Sequence, residues 1–176
     1  MASNLVIARG GTEFIPPISL AFWRWTCCFL ILLPFTFFYF KKNFYQFKDE
    51  LIKLFVLGFF GCGICGAFPF LAGETTTIVN MGIIYSSSPI FIIIISGIFF
   101  KEKLSNAQYS GILICLLGVV LIIVKANLNL LLNLKFTIGD LWMLGASIGW
   151  ALYTIYLFHW RSKLPLLQRF TLISMF

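Results

Sequence analysis

From Ile78 to Val124 the sequence holds two apolar runs, IVNMGIIYSSSPIFIIIISGIFF and YSGILICLLGVVLIIV, separated only by KEKLSNAQ. About 20 apolar residues, each rising ~1.5 Å along a helix, cover the ~30 Å hydrocarbon core of a bilayer. In water this hairpin would expose more apolar surface than a soluble domain carries. In lipid it is a natural unit, because each helix satisfies its own backbone hydrogen bonds. The chain is therefore expected to be an all-α, multi-pass integral membrane protein with the lipid bilayer as its solvent.

Composition supports this. Hydrophobic residues make up 60% and charged residues 11% of the chain, against roughly 45–50% and about 25% in soluble domains. The net charge of +7 does not signal nucleic acid, because the basic residues are scattered through short polar segments and form no dense patch. Cys62-Gly-Ile-Cys65 has the spacing of a redox or metal motif. With Gly58, Gly61, Gly63 and Gly66 around it, the segment reads rather as small residues that let helices approach closely. No metal, cofactor or catalytic constellation is expected: the chain has no phosphate-binding loop, no H-E-x-x-H and no paired acids suited to hydrolysis. The N-terminus also lacks the basic region and cleavage site of a signal peptide.

Helices are expected at about 1–8 (incomplete), 18–40, 54–75, 78–100, 107–124 and 140–160. A connection over 127–138 should lie at the interface, and a seventh helix beginning after Pro165 is cut at 176. Alternate polar segments then carry unequal positive charge. Lys41, Lys42, Lys48, Lys53, Lys101, Lys103, Arg161, Lys163 and Arg169 fall on one side, and Arg9, Lys125 and Lys135 on the other. By the positive-inside rule the loops 41–53, 101–106 and 161–169 are cytoplasmic.

An internal echo lays Trp150-Ala151-Leu152-Tyr153 over Met1-Ala2-Ser3-Asn4. Each is followed by a basic turn and a Pro-started helix, IPPISLAFWRW in one case and LPLLQRFTLISMF in the other. Five helices separate the two copies, so the second would be inverted relative to the first, as in inverted-repeat transporters.

Several residues resemble the drug/metabolite transporter superfamily, in particular EamA-type permeases. They are Ser3-Asn4; Pro17 with Leu20-Ala21-Phe22-Trp23-Arg24; Ser88-Pro89; Phe100-Lys101-Glu102-Lys103-Leu104 with Gln108, Gly111 and Gly118-Val119; and Gly139-Asp140-Leu141. The resemblance implies a ten-helix fold of two inverted five-helix repeats that moves small organic metabolites. Residues 1–126 would form the first repeat and 139–176 the start of the second. The remainder would come from a missing second repeat or from a homo-oligomer.

Arg24 lies about seven residues inside the second helix, where an ionisable group costs at least ~2.5 kcal/mol unless paired, hydrated or snorkelling. It reads either as a functional group or ion-pair partner, with Glu74 at the rim of the third helix in reach, or as a snorkelling arginine beside Trp23 and Trp25. Pro89 removes a hydrogen bond in the middle of the fourth helix, and the adjacent Ser88 can repair the backbone or face a cavity. Asn80 is a further cavity candidate. Asn4, Trp150 and Tyr153 come from equivalent positions of the echo and would line a central cavity for a solute of mixed polarity. Glu102 reads as a boundary charge and His159 as an interfacial anchor.

The functional expectation is a secondary carrier, in a bacterial-type cytoplasmic membrane, for a small-molecule solute. It would work by alternating access and is present as a fragment. The alternative is a non-transporting membrane remnant or a helical assembly partner.

Overall fold

The computed structural model describes residues 6–7, 10–11, 15–42, 44–101, 105–124 and 137–176. The expected first helix (all but 6–7), Asn4, Glu102 and the 127–138 connection up to 136 lie outside the described residues. Helices account for nearly all the rest, and no strand occurs among them.

Pro17 opens α1 (Pro17–Lys42) at a position where its missing N–H has no helical partner to lose. Then come α2 (Phe44–Gly58), a π-helical turn (Phe59–Ile64) and α3 (Cys65–Thr75), which together make one long rod. After Thr77 come α4 (Ile78–Ser86) and α5 (Ser88–Phe100), then α6 (Asn106–Val124), α7 (Ile138–His159) and α8 (Leu166–Met175). Among the described residues four stretches are long and apolar enough to cross a membrane: Pro17–Phe38, Glu50–Thr75, Ile78–Phe100 and Ile138–His159.

Two expectations need correction. The stretch 41–53 is not a loop: α1 runs on to Lys42 and α2 already begins at Phe44. Its charged residues sit among Phe44, Phe47 and Leu51, so a helix can extend beyond the hydrocarbon without a break. Likewise, 161–169 is a loop only as far as Pro165, because α8 begins at Leu166.

The centre of the assembly is α7, which packs on α3, the π-helical turn, α4 and α5. Lipid tails are as apolar as leucine, so helices associate in a bilayer through close van der Waals contact, and that requires small residues. Gly149 supplies it here: a Cβ there would stand 2.7 Å from Ile64 Cγ2. One turn away, a Cβ on Gly145 would stand 2.9 Å from the Phe68 ring. On the other side of the bundle α8 packs against α1, with the Trp25 and Phe170 rings edge to face at 6.5 Å.

The interior divides into two clusters. One contains Ala21, Phe70, Ala72, Met81, Met143 and Ala146. The other contains Leu54, Leu57, Cys62, Leu164, Leu172 and Ile173. Polar contacts close the two ends. Glu50 meets Ser162 and Lys163 at one end, where Phe100 also stacks on His159 with centroids 3.8 Å apart. Thr76 and Asn80 meet Asp140 at the other.

Candidate functional site

The polar group sequence reasoning missed is Asp140. It is 1% exposed, and it stays buried because every side of the carboxylate meets a donor. Thr137 and Asp140 form a reciprocal capping box at the start of α7, with the Thr137 N–H donating to Asp140 Oδ2 at 2.7 Å. Thr76 Oγ1 donates to Oδ1 at 2.5 Å, and Asn80 Nδ2 donates to Oδ1 at 3.3 Å and Oδ2 at 3.4 Å. Gly139 makes this approach possible, since a Cβ there would lie 2.6 Å from both the Ala72 carbonyl and Thr75 Oγ1. The sequence signal was present in Thr137-x-x-Asp140, a helix-start pattern, but Asp140 was read only as the start of its helix. The partners, more than 55 residues away in the chain, were not readable.

Between α4 and α5 the helix breaks at Ser87, and Pro89 occupies the first turn of α5. Three serines cover the carbonyls around the break. Ser86 Oγ donates to Ile83 O at 2.7 Å, Ser87 Oγ to Ile84 O at 2.6 Å and Ser88 Oγ to Tyr85 O at 2.5 Å. The Tyr85 carbonyl is the one a proline at 89 deprives of its helical donor. From α7, Ser147 Oγ adds a bond to Ile84 O at 3.2 Å. Ser88 thus puts its hydroxyl into repairing the backbone, and Asn80 turns its amide toward Asp140.

Tyr85, Trp150 and Tyr153 form an aromatic path between the two interior clusters. The Tyr85 and Trp150 rings are 6.4 Å apart and the Trp150 and Tyr153 rings 5.6 Å apart. Tyr85 packs against the first cluster and Tyr153 against the second. Gly61 of the π-helical turn leaves room for the Tyr153 ring, which a Cβ would meet at 2.8 Å. The Tyr85 hydroxyl lies 3.9 Å from Cys65 Sγ. Two interrupted helices therefore pack against α7, and Tyr85 from one of them faces Trp150 on α7.

Arg24 projects from α1 toward α3. Its guanidinium donates to the Gly66 carbonyl at 3.3 Å and lies over the Trp25 ring at 4.8 Å and the Phe70 ring at 5.1 Å. Both are cation–π distances. The small Gly66 backbone admits the arginine and the Trp25 indole side by side. Glu74 is exposed eight residues further along α3, at about 12 Å of helical rise from Gly66.

Beside this region a cleft of about 250 Å³ opens between α1, the π-helical turn, α3 and the end of α8, with Phe22, Trp25, Thr26, Cys62 and Phe176 among its walls. None of Arg24, Asn80, Ser88, Trp150 or Tyr153 lines it. Cys62 and Cys65 are free thiols, and among the described residues no group of three metal-binding side chains converges.

Residues 1–124 match the family described as the EamA-like transporter family. A Bacillus subtilis protein named "Uncharacterized transporter YyaM" is 28% identical over 85% of this chain and 49% of its own length. An uncharacterized transporter of Archaeoglobus fulgidus is also 28% identical, over 88% of this chain and 52% of its own. The chain spans about half the length of these relatives. No solved structure matches it.

Proposed function

The chain belongs to the EamA-like transporter family, and from that premise we propose that it forms one repeat and the start of the next in a secondary carrier. The carrier moves small organic solutes by alternating access between inverted repeats. Residues 1–126 are assigned to the first repeat and 139–176 to the second. The other helices come from a further repeat or a second copy of the chain.

The observation that carries the reading is the pair of interrupted helices packed against α7. The π-helical turn at Phe59–Ile64 and the break at Ser87 both face it. Carrier sites favour interrupted helices near mid-membrane, where loosened backbone and polar side chains line a route. Trp150 and Tyr153 offer rings with polar tips on α7, which suits a solute of mixed polarity. Arg24, held over Trp25 and Phe70, is the charged group assigned to solute recognition. An ion pair of Arg24 with Glu74 would require leaving the Gly66 carbonyl and belongs, on this reading, to another state of the cycle.

The basic end of the bundle, with Glu50, Phe100, His159 and Lys163, is assigned to the cytoplasmic face of a bacterial-type membrane. The charge bias of the sequence supports this orientation.

The test is solute flux in liposomes across a panel of small metabolites. Wild-type protein should carry at least one of them, and Arg24→Ala should abolish that flux while still inserting. Absence of flux for every solute would favour a non-transporting assembly partner. Unchanged flux in Arg24→Ala would remove the arginine from the mechanism.

A further inference from the structure

Glu50 joins two elements far apart in the chain. One carboxylate oxygen accepts from the Ser162 hydroxyl, and the other accepts from the Lys163 backbone N–H at 3.0 Å. The Ser162 oxygen in turn accepts from the Leu164 N–H at 3.1 Å. A single carboxylate on α2 therefore orders the whole turn between α7 and α8. The turn also has a bond of its own, from Arg169 Nη2 to the Trp160 carbonyl at 2.9 Å, but that bond does not reach α2.

Directly beneath lies the second interior cluster. Leu54 stands one turn beyond Glu50 and Leu164 two residues beyond Ser162, and both are buried in it. Lifting the turn away from α2 would uncover this cluster from the basic end.

The two ends of the bundle are not equally fast. At the far end Asp140 is 1% exposed, with donors from Thr76, Asn80 and Thr137. At the basic end Glu50 and Ser162 are half-buried and Lys163 is exposed. Water competes for the second set of bonds and not for the first, so local opening belongs at the basic end.

We infer that Glu50 is a latch: its bonds to Ser162 and Lys163 hold the α7–α8 turn shut over Leu54 and Leu164, and their release opens the bundle from the basic end. The latch supplies a gate for the carrier described above, and its role in transport rests on that reading. Its opening is measurable with no solute present.

The experiment uses the full chain in lipid nanodiscs with its native cysteines replaced and a single cysteine introduced by Leu54→Cys, and follows reaction with a water-soluble maleimide. Glu50→Ala should accelerate labelling about tenfold or more, since it removes two bonds to a charged acceptor. Ser162→Ala, which removes one, should give a smaller acceleration, and it stands in if Glu50→Ala does not fold. Lys163→Ala should change nothing, because the donor is the backbone N–H. A parallel protein with Cys65 as its single cysteine should label slowly with or without Glu50. Unchanged labelling at position 54 in Glu50→Ala and Ser162→Ala would overturn the latch. Equal acceleration at position 54 and at Cys65 would overturn it too, because that pattern is general loosening rather than a gate.

Discussion

Thr76 Oγ1 donates a 2.5 Å hydrogen bond to Asp140 Oδ1, joining the end of α3 to the start of α7 across 64 positions of sequence. The bond is buried, and the same carboxylate caps its own helix. Asp140→Ala should therefore lose the cap and strand the Thr76 and Asn80 donors together. The expected cost is about 2–4 kcal/mol, read as a lower unfolding temperature in detergent. Asp140→Asn, which keeps one acceptor, should cost less.

Gly139 and Gly82 make opposite predictions for the same substitution. A Cβ at Gly139 would collide with the Ala72 carbonyl at 2.6 Å, a backbone atom that cannot turn aside. At Gly82 it would meet nothing within 4 Å. Gly139→Ala should destabilise the protein and loosen the Asp140 contacts. Gly82→Ala should be neutral or stabilising by up to about 1 kcal/mol, the helix-propensity difference. Thermal unfolding of the two variants side by side checks the contrast.

The break at Ser87 predicts a coupling between two neighbours. Ser88 Oγ serves the Tyr85 carbonyl, which Pro89 leaves without its helical donor. Ser88→Ala alone should cost about 1 kcal/mol. With Pro89→Ala in place, the restored N–H can take over and the same change should cost close to nothing. A double-mutant cycle measures the difference directly.

Lys101 ends α5 with φ 53°, the left-handed conformation, and is the sole non-glycine residue with positive φ among those described. A Cβ in that region is disfavoured by ~1–2 kcal/mol. Lys101→Gly should therefore raise stability by about 1 kcal/mol, visible as a higher unfolding temperature.

How much of this was legible in the sequence depended on the range of the physics. Apolar run length alone put helices at about 18–40, 54–75, 78–100 and 140–160, and the spans Pro17–Phe38, Glu50–Thr75, Ile78–Phe100 and Ile138–His159 overlap them, because spanning a bilayer is a one-dimensional requirement. The stretch 41–53 was misread because charge was equated with loop, whereas its residues continue a helix past the hydrocarbon. The π-helical turn at Phe59–Ile64 was hidden: Gly61 and Gly63 advertise small size but not a change of hydrogen-bond register. Asp140 escaped for a different reason. Its cap lies within four residues and is readable, but its burial depends on Thr76 and Asn80, which only the fold brings near. Ser88 and Asn80 were singled out as cavity candidates, and the structure gives both of them protein partners.

The most direct test of the whole account asks on which side of the membrane each end of α7 emerges. Single cysteines at Lys163 and at Thr137, in sealed vesicles of known orientation, are probed with an impermeant maleimide before and after the vesicles are opened. The account predicts opposite behaviour, with 163 protected when 137 is exposed and the reverse in inverted vesicles. Labelling of both from the same side would contradict it.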